Sequence, residues 1–401
     1  MLGDLFEGCL HIDPMAQTAD VLVESPQPVP TCKGVVLFAD PQGRCISMLT
    51  AANVRRTVSA RLFGPPAEKG GKRGSIAPLV RTVYYECCHN DFAAALKYLQ
   101  AARVLWPQSW RSMMALPQLW FVRIDLNTAW PNFAATEKIT SSAGQHVFGP
   151  FPTRKAASRY VTSLRTAFAL CHRPDLVDSP EKAATCPYLQ MGTCPAPCVG
   201  NMSREGYRRE LERAVAAAGG RLSGVADDLR RRMMAMAAEQ QFEQAAAIKK
   251  RIEALDALGS RDYVWTHELS DLALLHIDRW VRVTASGGGR RKVQTYAGYL
   301  IVDGTIHRLD AFAADQAEAL CREAAHVLEA HITANESELA KDNLALAASF
   351  IYRSNPPGIW IDCSAREGRY VLLQPEDIAA RIRTRFGKDA APEEPDESPA
   401  T

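Results

Sequence analysis

Residues 171–198 read CHRPDLVDSPEKAATCPYLQMGTCPAPC and hold four of the chain's eleven cysteines. The gaps between these cysteines are fourteen, seven and three residues, rich in Pro, Gly and polar side chains. Four thiolates that converge on one point suit a zinc ion or an iron–sulfur cluster, whereas disulfides are disfavoured without a secretory signal. The spacing leaves both metals open, although the lack of a C-x-x-C pair favours iron–sulfur. The predicted ligands are Cys171, Cys186, Cys194 and Cys198.

The composition indicates a globular chain of two to four domains, because 401 residues contain 47% hydrophobic and 23% charged side chains. The net charge of +2 is too small for the whole-chain field to drive nucleic-acid binding, so such binding needs local basic patches. No apolar run approaches the length of a membrane span, and the first residues lack a basic signal-peptide region. These features predict a cytoplasmic protein.

Two consecutive helices are predicted over residues 225–241 and 242–258, because apolar residues recur at steps of three and four. Back to back, such helices form an antiparallel hairpin. A hairpin buries little surface alone, so its apolar face requires a partner protein. The alternative is an internal hairpin that packs on the chain's own core.

Two stretches resemble the UvrC family, the incision subunit of bacterial nucleotide excision repair. Residues 186–207, CPYLQMGTCPAPCVGNMSREGY, are similar to its cysteine-rich segment, and residues 233–255, MMAMAAEQQFEQAAAIKKRIEAL, to its UVR motif. The first resemblance implies a [4Fe–4S] cluster on the four cysteines, with zinc as the lesser alternative. The second implies a UvrB-type partner. The predicted partner-binding residues are Met233, Met236, Phe242, Glu243, Ala245, Ala246, Ile252 and Leu255.

Residues 29–63 resemble the GIY-YIG nuclease domain that opens UvrC, but without its chemistry. The two tyrosines of the family fall on Val36 and Ser47, the catalytic arginine on Thr57, and the metal-binding glutamate near Tyr98. Residues 92–107 contain no carboxylate, which a hard divalent cation normally requires. The resemblance therefore predicts a degenerate GIY-YIG domain with no catalytic residues.

DNA contacts are expected from a helix with three arginines and from the basic loop after it. An equally open alternative is a solvated basic face. A second basic helix carries Arg154, Lys155, Arg159 and Arg165 near the cysteines. The predicted DNA-binding residues are Arg55, Arg56, Arg61, Lys69, Lys72 and Arg73.

The leading functional hypothesis is a UvrC-like repair protein that binds DNA and a UvrB-type partner without cutting. The alternatives are an active excinuclease subunit with a divergent site, and a protein-interaction module unrelated to DNA. The predicted fold class is α+β and multidomain. Its segments are an irregular lead-in (1–29), a GIY-YIG-like α/β domain (30–110), linker strands with the Fe–S cysteine region (111–222), a UVR helical hairpin (223–260), a C-terminal α/β region shorter than that of UvrC and without its RNase H-like nuclease (261–386), and a disordered acidic tail (387–401).

Overall fold

The structure is a computed structural model of the whole chain. It describes residues 2–13, 20–24, 28–64, 76–177, 181, 185–191, 194–222, 224–286, 289–330, 338–366 and 368–387. Within these residues the fold is α+β, with three four-stranded sheets whose strand pairs are all antiparallel. No helix in these ranges is both long and apolar enough to cross a bilayer.

The first sheet has the strand order β1-β4-β2-β3. Its strands are β1 (Gly8–His11), β2 (Gly34–Ala39), β3 (Cys45–Ala51) and β4 (Thr82–Cys87). The accompanying helices are α1 (Val21–Glu24), α2 (Val54–Leu62), α3 (Asp91–Leu105) and α4 (Trp110–Met113). The helices α2 and α3 begin where they do because Asn53 and Asn90 each accept a hydrogen bond from a backbone N–H of the first turn. A disulfide joins Cys32, before β2, to Cys87 at the end of β4.

The lead-in prediction was wrong for part of residues 1–29. Residues Gly8–His11 form β1 and pair with β4 in the register Gly8↔Tyr85 to His11↔Thr82. A four-residue strand carries too little periodicity to be recognised alone, and its partner lies more than seventy residues away.

The middle sheet has the order β6-β5-β7-β8 and leads into the cysteine region. Its strands are β5 (Trp120–Asp125), β6 (Ala134–Thr136), β7 (Gln145–Phe151) and β8 (His267–Glu268). The helices around it are α5 (Arg154–Ala167), α6 (Pro187–Gln190) and α7 (Arg204–Ala218). Ser203 caps α7 and Gly219 ends it.

The helical hairpin follows as α8 (Val225–Ala238) and α9 (Phe242–Leu258). The chain reverses at Gln240, whose φ of 60° is left-handed. Helix α9 packs against both α8 and α5, so the hairpin is anchored on the middle sheet.

The third sheet has the order β11-β10-β9-β12. Its strands are β9 (Ala273–Ser286), β10 (Gly289–Val302), β11 (Thr305–Arg308) and β12 (Ile359–Asp362). The last helices are α10 (Ala317–Ala330), α11 (Glu338–Ile351) and α12 (Pro375–Phe386). A turn at Asp303-Gly304 connects β10 to β11.

The first and third sheets share one hydrophobic core, centred on Phe92 of α3. The Phe92 ring is fully buried and makes edge contacts with four rings of the C-terminal region. The centroid distances are 4.8 Å to His276, 5.1 Å to Tyr299, 5.3 Å to Phe350 and 5.6 Å to Trp360. The predicted segments 30–110 and 261–386 are therefore not separate packing units.

A cluster of polar side chains ties the far end of α3 to α11. The carboxylate of Asp342 accepts a hydrogen bond from Arg111 at 3.0 Å and lies 3.4 Å from an Arg103 nitrogen. Both guanidinium groups lie over the ring of Trp110, and Arg103 also donates to Asn343. The buried carboxylate thus offsets part of the charge of two stacked cations, of which Arg103 is half-buried and Arg111 is exposed.

Candidate cysteine centre, hairpin tip and nucleic-acid contacts

The four predicted ligands come from three short pieces of chain next to the middle sheet. Cys171 follows α5, Cys186 immediately precedes α6, and Cys194 and Cys198 lie just before α7. All four are free thiols; Cys194 is partly exposed and the other three are buried.

The electrostatics of Cys171 reflect its burial and the other three cysteines. The pKa of this thiol is raised to about 11, first by burial and to a lesser extent by Cys194, Cys198 and Cys186. Burial also raises the pKa of Cys194. Several neighbouring thiolates would repel one another, which a bound cation would relieve.

Two contacts made by aromatic side chains lie next to the cysteines. His172 stacks on Tyr188 with ring centroids 4.4 Å apart, which holds the segment after Cys171 against α6. Tyr207 of α7 is buried and donates to the Pro131 carbonyl at 3.5 Å. Sequence reasoning missed both, because a stack between residues in two loops has no periodic signature.

The donor set fits a soft metal or an iron–sulfur cluster, since it consists of four thiols and three are buried. Within the described ranges, no group of three or more His, Cys, Asp or Glu side chains is close enough to hold a metal ion. The structure therefore gathers the predicted ligands in one region but does not bring them into coordination geometry, and the cluster stays a prediction.

The hairpin divides its predicted partner-binding residues into two groups. Ile252 and Leu255 face the chain's own middle core together with Leu229, so they do not belong to an exposed surface. The prediction that Ile252 and Leu255 bind a partner protein is therefore corrected. At the base of the hairpin, the apolar stripe of α9 packs inside the protein. Arg251 strengthens that anchor by donating to the Ala167 carbonyl of α5 at 2.9 Å.

The tip of the hairpin remains open. Phe242 is 67% exposed and Met234 is 69% exposed, the two highest exposed fractions among the large apolar side chains of the described residues. Sequence reasoning did not select Met234. Met233 is half-buried and packs against the same middle core, so it belongs with the base. The other predicted residues at the tip are partly or fully exposed: Met236, Glu243, Ala245 and Ala246.

Of the positions that resemble the nuclease site, Val36 is a core side chain, whereas Ser47, Thr57 and Tyr98 are partly buried. Val36 is fully buried in one cluster with Val54 and Val58 of α2, and Leu49 packs against the same cluster. Tyr98 of α3 packs against the core shared with the third sheet. Side chains in such packing offer neither charge for a phosphate nor a route for water.

The described carboxylates of residues 30–110 are each paired with a cation. Asp40 accepts from Arg44 at 2.7 Å, and Asp91 accepts from Lys33 at 2.5 Å. Glu86 pairs with Lys97, and burial raises the pKa of Glu86. Pairing with a cation opposes the binding of a second cation, so none of the three is arranged as a divalent-metal ligand.

The predicted DNA contacts differ in their availability. Arg55 is half-buried and donates to the Val29 carbonyl at 2.6 Å, so it holds the segment before β2 rather than facing solvent. Arg56 is exposed and Arg61 is partly buried. Lys69, Lys72 and Arg73 lie outside the described residues.

The second basic helix is also divided. Arg165 donates to Asn132 and to the Phe133 carbonyl, and burial lowers its pKa. It therefore supports the middle sheet. Arg154 lies over the ring of Trp120 at 5.3 Å, while Lys155 and Arg159 are exposed.

Comparison with known proteins matches residues 119–217 to the middle domain of the UvrC/Cho excinuclease family. This range runs from β5 through the four cysteines to α7. The chain is 28% identical over 235 residues to the UvrABC system protein C of Trichlorobacter lovleyi, covering 59% of this chain and 38% of that protein. It is 36% identical over 117 residues to the same protein of Alkalilimnicola ehrlichii, covering 29% and 19%.

A third relative, the UvrABC system protein C of Treponema denticola, is 24% identical over 266 residues, covering 63% of this chain and 39% of that protein. The chain thus spans about two-fifths or less of the length of these relatives. No solved structure is significantly similar to it. The matches confirm the predicted resemblance to UvrC.

Proposed function

We propose that this UvrC-like chain works in nucleotide excision repair as a non-cutting subunit that binds DNA and a UvrB-type protein. The observation that carries the proposal is the packing of residues 30–110. The positions that resemble the nuclease tyrosines, arginine and glutamate hold Val36, Ser47, Thr57 and Tyr98, and Val36 is fully buried.

The pairing of charges supports the absence of cutting by this domain. Phosphodiester hydrolysis needs stabilisation of charge on the phosphate and an activated water, normally from a metal ion held by carboxylates. The described carboxylates of the domain are Asp40, Glu86 and Asp91, and each is paired with Arg or Lys. Glu68 lies outside the described residues.

The proposed partner site is the hairpin tip around Phe242. Its large exposed apolar side chains are suited to packing against another helical hairpin, and the small Ala245 and Ala246 allow close approach of helices. The buried base fixes the orientation of the tip relative to the cysteine region.

The proposed cofactor is a [4Fe–4S] cluster held by Cys171, Cys186, Cys194 and Cys198. When bound, the cluster would supply covalent cross-links between three loops rather than a chemical step. The chain's own residues, including stacked His172 and Tyr188, hold those loops together next to α7.

The test is an incision assay on a damaged duplex with Mg²⁺ or Mn²⁺, purified UvrA and UvrB, and this chain in place of UvrC. We expect partner-dependent retention of the duplex without strand cleavage. Cleavage that disappears when Glu86→Gln or Tyr98→Phe is introduced would instead favour an excinuclease subunit with a divergent site. Absence of both retention and cleavage would leave a protein-interaction module and refute the proposal.

A further inference from the structure

Helix α5 has one exposed face on which every side chain is a cation or a hydroxyl. Because an α-helix turns by about 100° per residue, these side chains lie within an arc of about 140°. At about 1.5 Å per residue, the face is roughly 12 Å long. The opposite face of α5 is buried in the middle core. The exposed side chains are Arg154, Lys155, Ser158, Arg159 and Thr162.

The cations of this face are not neutralised by any carboxylate of the described residues. Residues 138–174, which include α5, contain no Asp or Glu. In the part of the chain that the structure describes, no ion pair joins Arg154, Lys155 or Arg159 to a carboxylate of another segment. Tyr263 packs against α5, and its neighbour Asp262 is exposed rather than paired with these cations. The face therefore keeps its full positive charge.

Neighbouring helices of the same core neutralise their cations instead. On α7, Arg209 pairs with Glu205 at 2.8 Å. On α8, Arg232 pairs with Asp228 at 2.9 Å. Mixed charges of this kind are typical of a surface that serves solubility. The charge of α5 has a single sign, so solubility alone does not account for it.

The cations of α5 also do not stabilise the helix that carries them. Arg154 and Lys155 lie in the first turn, which contains no acidic side chain and where the helix dipole favours negative charge. Lys155 and Arg159 are four residues apart, so their like charges repel each other. Arg154 has a packing role, because it lies over the ring of Trp120 at 5.3 Å. A bound anion would relieve both unfavourable interactions.

The packing of α5 favours a nucleic acid over a lipid surface as the anionic ligand. An amphipathic helix that binds a membrane buries its apolar face among the lipids. The apolar face of α5 is already covered by the protein, since Tyr160, Leu164 and Ala167 are buried in the middle core. Only the polar face is open, and it offers charge and hydrogen-bond donors.

We propose that the exposed face of α5, formed by Arg154, Lys155, Ser158 and Arg159, binds the phosphate backbone of duplex DNA. A DNA strand carries one phosphate per about 3.4 Å of helix axis, so a face of roughly 12 Å meets about three to four phosphates. Lys, Arg and Ser contacts to phosphates carry no sequence information, which suits a repair protein. The inference rests on the proposed DNA-binding function and assigns it a surface.

The first experiment measures the affinity of the full chain for a short DNA duplex at several salt concentrations. The α5 variant carries Arg154→Gln, Lys155→Gln and Arg159→Gln. Each phosphate contact contributes about 0.9 to the slope of log K against log salt, so this variant should lose about 2 to 3 of that slope. A matched control removes three exposed cations elsewhere: Lys249→Gln, Lys250→Gln and Arg322→Gln.

The α5 variant should also bind at least about tenfold more weakly than the control at moderate salt. Equal loss in both variants would show a diffuse field and overturn the proposal, as would unchanged binding by the α5 variant. If the unaltered chain binds no duplex, the proposed function itself fails. If the α5 variant loses binding to phosphatidylserine vesicles but keeps binding to the duplex, the face serves a lipid surface and the proposal is wrong.

A single substitution separates binding from folding. Lys155→Glu places a negative charge in the first turn of α5 and four residues before Arg159, and both changes favour the helix. The melting temperature should stay the same or rise, whereas the salt slope of duplex binding should fall by about 2, because one cation is replaced and another becomes paired. The control Lys250→Glu makes the same change of charge on α9. Weaker duplex binding than in the control, without a lower melting temperature, would support the proposal, and undiminished binding by Lys155→Glu would refute it.

Discussion

The division of the hairpin into a buried base and an open tip predicts opposite effects for two truncations on the same helix. Leu255 is 2% exposed in the middle core, so Leu255→Ala should lower the free energy of unfolding by about 2 to 5 kcal/mol. Phe242 is 67% exposed at the other end of α9, so Phe242→Ala should change stability by less than about 0.5 kcal/mol.

The effect on partner affinity should be reversed. A phenylalanine side chain of about 200 Å² that is two-thirds exposed leaves about 130 Å² for a partner to cover, worth up to about 3 kcal/mol. Phe242→Ala should therefore weaken binding by as much as about 100-fold. Leu255→Ala should keep near-normal affinity at temperatures where it is folded.

The assay is calorimetric titration of each purified variant with the UvrB protein of the same bacterium, alongside urea unfolding followed by circular dichroism. The variant Met234→Ala is a second probe of the tip, because this side chain is 69% exposed. The reasoning is refuted if Phe242→Ala binds normally while folded Leu255→Ala does not, since the partner would then use the face buried here.

Three further outcomes test other parts of the structure. Asp342→Asn removes the buried carboxylate shared by two arginines and leaves half-buried Arg103 without its counter-charge, so urea unfolding should show a loss of about 1 to 3 kcal/mol; no loss would refute the charge argument. The hydrogen bond to Glu268 raises the pKa of His146, so this pair stabilises the fold below the unfolded pKa and loses that contribution as pH rises through the folded pKa. The stability difference between the unaltered chain and Glu268→Gln should therefore shrink as pH rises from about 6 to 8, and a growing difference would contradict the assignment. Anaerobic purification with iron analysis should give about four irons per chain and visible absorption, both lost in Cys194→Ser, whereas one zinc without colour would replace the cluster by a zinc site.

Local signals in the sequence predicted the helices best. The starts of α3 and of α12 follow from residues nearby: Asn90 caps one helix, and Pro375 opens the other. The cysteine spacing predicts a shared metal site, and this stays a prediction because the distances between the four thiols depend on how three loops pack.

Contacts between distant parts of the chain could not be predicted in the same way. The apolar stripe on α3 predicts that this face of the helix is buried, but it does not predict that the third sheet packs against it. The pairing of Gly8 with Tyr85 and the hydrogen bond from Arg55 to Val29 likewise depend on how distant segments of the chain pack together. Arg55, which the sequence predicts as a DNA contact, therefore holds the backbone segment before β2 instead.

The shared core around Phe92 has a consequence for the synthesis of the protein. The ring that covers Phe92 farthest along the chain belongs to Trp360, about 270 residues later. At about 5 to 20 residues per second, the ribosome needs roughly 15 to 55 s to add that stretch. During this interval the apolar face of α3 is left uncovered on the nascent polypeptide, so chaperones must protect it, and a fragment that ends before β9 should aggregate when produced alone.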